Sequence, residues 1–246
     1  MKFNYKLSRL CGTSYGPSAL SSRRSFHPNV IFHPNGNSVY SPVGIRIQHI
    51  DLIHHSLQTL PFQTRSDISK IALHPDGRLL LAIDIDGYAV LANVNVSGDD
   101  GGTCCVVVIL HRFKFQHPVI SIEFSPDGKY FAVGMTQRFV EVWSSPTYRK
   151  EFAPFVKHRT YTGLNRPVTS VHWSNDSSVL MGCSEDQTIR IWTLHTLNGY
   201  VPVTLAAHRG PIVASFFDYS TGTHSDKFSS SISGVYNVSS DNNVFT

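Results

Sequence analysis

The sequence predicts an all-β protein in which a small antiparallel sheet recurs along the chain. Three observations carry this. Ile120, Ile122 and Phe124 alternate with Ser121 and Glu123, the period-2 pattern of a strand. The turn after it, Phe124-Ser-Pro-Asp-Gly128, recurs as Phe32-His-Pro-Asn-Gly36 and Leu73-His-Pro-Asp-Gly77, with Trp173-Ser-Asn-Asp-Ser177 as a degenerate fourth copy. The last residues of these copies lie 41, 51 and 49 positions apart. Finally, Trp143 and Trp192 each end an equivalent apolar segment, and they too are 49 residues apart.

A single unit cannot stand alone, because a small twisted sheet leaves its faces wet. Copies must cover one another. The spacing is that of a four-stranded WD-repeat blade, about 40–45 residues, with the excess assigned to loop insertions. Face-to-face packing also explains why the strands are apolar on both sides. The predicted architecture is an incomplete WD40-type β-propeller of about four and a half blades. It spans residues 30–246, after an N-terminal strand and flexible loop over 1–29.

The elements follow in order. Residues 2–7 alternate as a strand, and 12–28 are rich in Gly, Ser and Pro. The first unit starts at Val30 and includes the strand Ile45–Ile50. The second runs from Ile68 to Val94, with Asp86-Gly87 as a tight hairpin turn. Ser97–Gly102 reads as a polar solvent loop, and Val106–Leu110 as an outer strand. The third unit has strands at 120–124, 130–134 and 139–143, joined by a turn whose Pro126 presets φ and whose Gly128 accepts positive φ. The fourth runs from Val168 to Leu194 and holds the best match to the repeat pattern, Ser184-Glu-Asp-Gln-Thr-Ile-Arg-Ile-Trp192. A fifth opens at Ala207-His-Arg-Gly-Pro-Ile212 and stops after Thr246, where a closing Trp is expected. That stop predicts a truncated chain with an exposed sheet edge.

Composition sets bounds. Apolar residues make up 41% of the chain, enough for a core, and charged residues only 15%, too few for a disordered or long-helical protein. The net charge of +4 allows an acidic partner without demanding one. Cys11, Cys104, Cys105 and Cys183 are spaced neither for a disulfide framework nor for zinc, so reduced structural thiols are expected. The N-terminus lacks a signal-peptide core, and the longest apolar run, Cys104–Leu110, is far too short to span a bilayer. A soluble intracellular protein is expected.

Few residues carry chemistry. Gly12-Thr-Ser-Tyr-Gly16 matches G-x-S-x-G, but Pro17 and a Ser-rich loop follow it where a nucleophile elbow needs a helix. His49, Asp51 and His55 would share a strand face, yet neighbours there lie roughly 6.5–7 Å apart, too far for compact tetrahedral ligation. No phosphate-cradling glycine loop occurs. The turn aspartates read as structural, each expected to bond a His leading into its blade and a Ser or Thr on the second strand. His208, Ser239 and Asp241 fit this in the fifth unit. Asp186 has Asn165-Arg-Pro167 where that His is expected, and the third unit has His117 but no turn Asp. With Trp143 and Trp192 these form the expected blade framework. One segment has binding chemistry: Arg149, Lys150, Lys157 and Arg159 could hold phosphates while Tyr148, Phe152 and Phe155 stack on bases or on a partner. The alternative is a solvated connector with its aromatics tucked into the blade.

Several segments resemble the periodic tryptophan protein 2 family: Met1-Lys-Phe-Asn-Tyr-Lys-Leu-Ser-Arg-Leu10, Gly12–Tyr15, Gly36-Asn-Ser-Val-Tyr-Ser-Pro-Val-Gly44, Arg149–Phe155 and Ala207–Phe217. The resemblance covers nearly the whole chain. It implies two tandem propellers and a helical C-terminal region, of which this chain would be part of the first propeller. It also implies a nucleolar, non-catalytic scaffold without cofactor. Such a scaffold would act in the small-subunit processome, in pre-rRNA processing and 40S biogenesis. Its partners would be other WD-repeat proteins of the UTP-B complex, the U3 snoRNP and pre-rRNA. A generic WD-repeat adaptor for protein–protein contact, in ubiquitin-ligase or chromatin complexes, is the alternative. Ser97–Gly102, Pro17–Asn29 and Thr221–Ser231 depart from the family pattern.

Overall fold

The structure is a computed structural model that describes residues 29–99, 102–148, 155–195, 200–206, 208–219, 232–240 and 244–245. The expected strand at 2–7, the Gly12–Gly16 motif and the basic Arg23-Arg24 pair lie outside them. Every described element is a strand, and the strands form five consecutive antiparallel sheets. The first holds β1 (Ile31–Phe32), β2 (Ser38–Val43), β3 (Arg46–Asp51) and β4 (Leu57–Thr59). The second holds β5 (Ile68–Leu73), β6 (Leu79–Asp84), β7 (Tyr88–Asp99) and β8 (Gly102–Lys114). The third holds β9 (Val119–Phe124), β10 (Tyr130–Met135), β11 (Val140–Ser144) and β12 (Lys157–Tyr161). The fourth holds β13 (Val168–Trp173), β14 (Val179–Ser184), β15 (Ile189–Thr193) and β16 (Val203–Leu205). The fifth has three described strands, β17 (Ile212–Tyr219), β18 (Ile232–Ser239) and β19 (Val244–Phe245). Within each sheet neighbours in sequence are neighbours in space. This is an incomplete WD40 β-propeller, as the repeats predict.

The stacking has a simple sequence basis. In the second strand of the second, third and fourth blades, successive residues are dealt to opposite neighbours, because side chains alternate across a strand. Leu80 and Ala82 enter the core shared with the first blade; Leu79, Leu81 and Ile83 enter the core shared with the third. On β10, Phe131, Val133 and Met135 face the second blade and Ala132 the fourth. On β14, Leu180 faces the third blade, while Met181 and Cys183 face the fifth. All six residues of β6 are buried for this reason. Outer strands, with a single sheet neighbour, are largely exposed: only Tyr161 of β12 is buried.

The recurring turn is the same object four times. Within the last four residues of each copy, the amide of the fourth donates to the carbonyl of the first, for Gly36, Gly77, Gly128 and Ser177, at 2.8–2.9 Å. These four residues have φ of +74°, +79°, +73° and +60°. Ser177 thus holds the left-handed conformation that glycine adopts without steric cost. The third residue (Asn35, Asp76, Asp127 or Asp176) accepts the amide two positions on, at 3.0–3.2 Å.

Two expectations need correction. Ser97–Gly102 is not a solvent loop: the β7–β8 register continues out to the pair Asp99–Gly102. Thr103 and the valines at 106–108 favour a pleated strand and outweigh the glycines. Nor does the strand of His49 extend to His55. β3 ends at Asp51, whose Oδ1 accepts the amides of Ile53 and His54, and His55 has φ +51°. His49 is buried, with Nδ1 at 3.4 Å from the Cys105 thiol.

Candidate interaction surfaces

The propeller has two rims and an axis. On one rim, the hairpin turn between the second and third strands meets the loop leading into the same blade. In the fourth blade, Asp186 Oδ2 accepts the Asn165 amide at 2.7 Å, and Oδ1 accepts the Thr188 amide at 3.0 Å. Ser184 Oγ, at the end of β14, accepts the Asp186 amide at 3.2 Å and donates to the Arg166 carbonyl at 3.0 Å. Burial by itself would raise the Asp186 carboxyl. The hydrogen bonds from Thr188 and Asn165 outweigh it and hold the carboxyl below its usual value. So Asp186 needs no histidine: the backbone of Asn165 serves.

The other blades vary the same link. In the second blade, Ser66 Oγ donates to Asp86. In the third, Gln137 Nε2 reaches His117 Nδ1 at 3.4 Å, an amide taking the place of the missing Asp. In the fifth, His208 is buried and Ser239 Oγ donates to the Gly210 carbonyl at 3.0 Å; Asp241 lies outside the described residues.

Trp143 and Trp192 hold equivalent places. Trp143 pairs across the sheet with Phe131, and Trp192 with Leu180, each the second residue of its neighbouring strand. Each ring meets an aromatic at the end of the preceding blade's outer strand. Trp143 lies edge-on to Phe115 at 6.1 Å, and Trp192 stacks on Tyr161 at 5.4 Å.

The basic–aromatic segment is less free than its sequence suggests. Arg149, Lys150 and Phe152 lie outside the described residues. Phe155 packs on Phe113, with ring centroids 3.7 Å apart, and joins the core between the second and third blades. Lys157 pairs with the buried Glu141 and lies over the Trp143 ring, 5.3 Å from its centroid. Arg159 donates to the Leu194 carbonyl at 3.4 Å. Tyr148 is exposed.

Sequence reasoning missed a clasp on the opposite rim, where each recurring turn touches the next blade. His74 Nε2 donates to the Gly128 carbonyl at 2.9 Å. The Asp127 amide donates to Ser177 Oγ at 3.0 Å, and the Asn175 amide to the Tyr219 hydroxyl at 2.8 Å. The His33 ring closes over Gly77 so tightly that a Cβ there would lie 2.4 Å from Nε2. The signal was present as His before Pro-Asn-Gly and Pro-Asp-Gly, but its partner is a different blade.

The first strands of all five blades border an axial cavity of about 680 Å³. Its polar wall includes Lys70, Ser121, Glu123, Thr169 and His172. These groups also tie blade to blade: Ser121 Oγ accepts the Val171 amide at 3.2 Å, Glu123 Oε2 accepts the Trp173 amide at 3.3 Å, and Trp173 Nε1 donates to the Glu123 carbonyl at 3.2 Å. Glu123 also lies 3.3 Å from His172 Nδ1. Burial pushes the Lys70 ammonium below its usual value. Among the described residues no three His, Cys, Asp or Glu side chains converge as a metal site. No helix there is long and apolar enough to cross a membrane.

The comparisons agree with this geometry. The family model "WD domain, G-beta repeat" matches residues 108–144 and 155–193. Each match starts in or just before the outer strand of one blade and runs through the first three strands of the next. Over 100% of its length the chain is 36% identical to a periodic tryptophan protein 2 homolog of Neurospora crassa, covering 24% of that protein. It is 34% identical to the Schizosaccharomyces pombe homolog, again over 100% of the chain and 25% of the relative. Against the Mus musculus homolog the identity is 33% over 89% of the chain and 21% of the relative. The chain therefore spans about a quarter of the length of the curated relatives it matches. End-to-end relatedness and the repeated blade lead to one assignment: the chain belongs to the periodic tryptophan protein 2 family of WD-repeat proteins.

Proposed function

We propose that this chain forms part of a non-catalytic scaffold of the small-subunit processome, acting in pre-rRNA processing and 40S ribosome biogenesis in the nucleolus. Its partners in this reading are other WD-repeat proteins of the UTP-B complex, the U3 snoRNP and pre-rRNA. The observation that carries the reading is the relatedness over the full chain to periodic tryptophan protein 2 homologs of fungi. The chemistry of the described residues is compatible with it. Three aspartates of the blade turns are taken up by local hydrogen bonds: Asp186 with Asn165 and Thr188, Asp86 with Ser66, and Asp127 with Lys129. A rigid disc with loops on two rims offers docking surface, and function rests with those loops.

The test is recovery of the tagged protein from cells. Co-purification of U3 particle proteins and pre-rRNA is expected. Recovery of ubiquitin-ligase or chromatin subunits in their place overturns the reading and favours a generic adaptor.

A further inference from the structure

Between the outer edges of the first and second blades lies a groove of about 440 Å³, lined in part by Arg46, Gln63 and Arg112. Two more cations adjoin it in sequence and in register. Arg65 follows Gln63 by two residues, and Lys114 follows Arg112 by two on β8. Both reach the same ring: the Arg65 guanidinium sits 4.7 Å and the Lys114 ammonium 4.6 Å from the Tyr88 centroid. Tyr88 is itself paired with Lys114 across β7 and β8.

Three features distinguish this surface. All four cationic side chains are exposed, yet none pairs with a carboxylate among the described residues. Of the nearby carboxylates, Asp86 accepts Ser66 Oγ, and Asp67 Oδ1 lies 3.7 Å from where a Cβ on Gly44 would sit; neither forms an ion pair with the four cations. The support is rigid. Thr64 bonds the Ile45 carbonyl through its amide at 3.0 Å and its hydroxyl at 3.1 Å, fixing the 60–66 segment to the start of β3. A ring that holds two cations in place lowers the ordering cost of bringing them to a ligand.

We propose that this groove docks single-stranded RNA, with Arg46, Arg65, Arg112 and Lys114 receiving successive backbone phosphates. The inference deepens the ribosome-assembly reading by naming a contact surface, and it relocates that contact from the 148–159 segment. Guanidinium forks suit phosphate oxygens, and a line of unpaired cations on a rim tracks a backbone without reading its sequence. Tyr88 carries cations, so bases are left facing outward, and weak sequence preference follows.

The test measures binding of the full chain to a fluorescent single-stranded RNA of mixed sequence, with polyglutamate as the competing polyanion. The double variant R46Q/R112Q is compared with R78Q/K129Q, which makes the same charge change on the opposite rim. The first should weaken RNA binding about tenfold or more and flatten the slope of log K against log salt by about 1.4, two phosphate contacts' worth. R78Q/K129Q should bind as the unaltered chain does. All six side chain changes, including R65Q and K114Q made separately, are at exposed positions, so unchanged thermal midpoints will show that folding is intact. Equal effects of the two double variants, absent RNA binding, or tighter binding of polyglutamate than of RNA would each overturn the proposal. None of these bears on co-purification with pre-rRNA, which tests the scaffold reading separately.

Discussion

Gly134 offers the sharpest test of how the blades meet. It lies on β10 with its missing side chain aimed at the fourth blade. A Cβ built there would sit 2.7 Å from Val171 Cγ2 and 2.8 Å from Val168 Cγ1, both more than 30 residues away in sequence. Its backbone is not in the left-handed region, so Gly134→Ala carries no φ penalty, and the whole effect comes from overpacking between blades. Overpacking of this kind costs about 1–3 kcal/mol. Val168→Ala alone removes a fully buried side chain's two methyl groups, at about 0.8 kcal/mol per group plus a cavity contribution. In the double variant the new methyl enters the space the valine leaves. The two costs should then fall short of additivity by about 1 kcal/mol in urea unfolding of the single and double variants. Gly36→Ala supplies the contrast: nothing lies within 4 Å of its Cβ position, and its φ of +74° alone makes alanine unfavourable. No partner substitution should rescue it. Additivity of G134A and V168A to within about 0.5 kcal/mol would refute the packing described between the third and fourth blades.

Three further outcomes are expected. Trp192→Ala should lower the urea midpoint more than Trp143→Ala. Trp192 is fully enclosed, where truncation costs about 3–5 kcal/mol, while Trp143 is only half-buried; equal losses would contradict the burial. Cys105 and Cys183 are buried, and burial pushes the Cys183 thiol up, so mass spectrometry should find both alkylated only in denaturant. Labelling of Cys183 in the native protein would count against the fourth–fifth blade contact. Asp127, Asp176 and Asp186 have carboxyls that burial would raise but that hydrogen bonds hold below the usual 3.8. Their stabilisation is complete above that value and lost as pH falls through the depressed folded values. Asp186→Asn should therefore flatten the acid limb of the stability curve below about pH 4, and an unchanged limb would remove Asp186 from the account.

Much of the fold was legible in local chemistry. Pro-Asp-Gly turns and strand alternation depend on a few adjacent residues, so four turns and most strand positions follow from them. The Trp143 and Trp192 equivalence also survives, because both close third strands at the same register. What escaped was relational. Gln137 replaces an aspartate only because His117 lies opposite it, and Asn165 serves Asp186 through its backbone, which no side chain announces. Glycines at 98 and 102 spoke for a loop, yet the hairpin extends: Gly98 pairs with Thr103 and Gly102 with Asp99. The 148–159 segment looked like a cationic surface. Lys157, however, sits on Glu141, sixteen residues earlier, and only the β11–β12 pairing brings the two together. Conversely, Arg46, Arg65, Arg112 and Lys114 are scattered in sequence and become one surface only when two blades stand side by side.

The most direct measurement of blade stacking is a nuclear Overhauser spectrum of the methyl- and glycine-labelled chain. Gly134 Hα should give strong cross-peaks to the Val168 and Val171 methyls, and Gly182 Hα to a Val140 methyl. Cross-peaks from both glycines only to residues of their own sheets would contradict it.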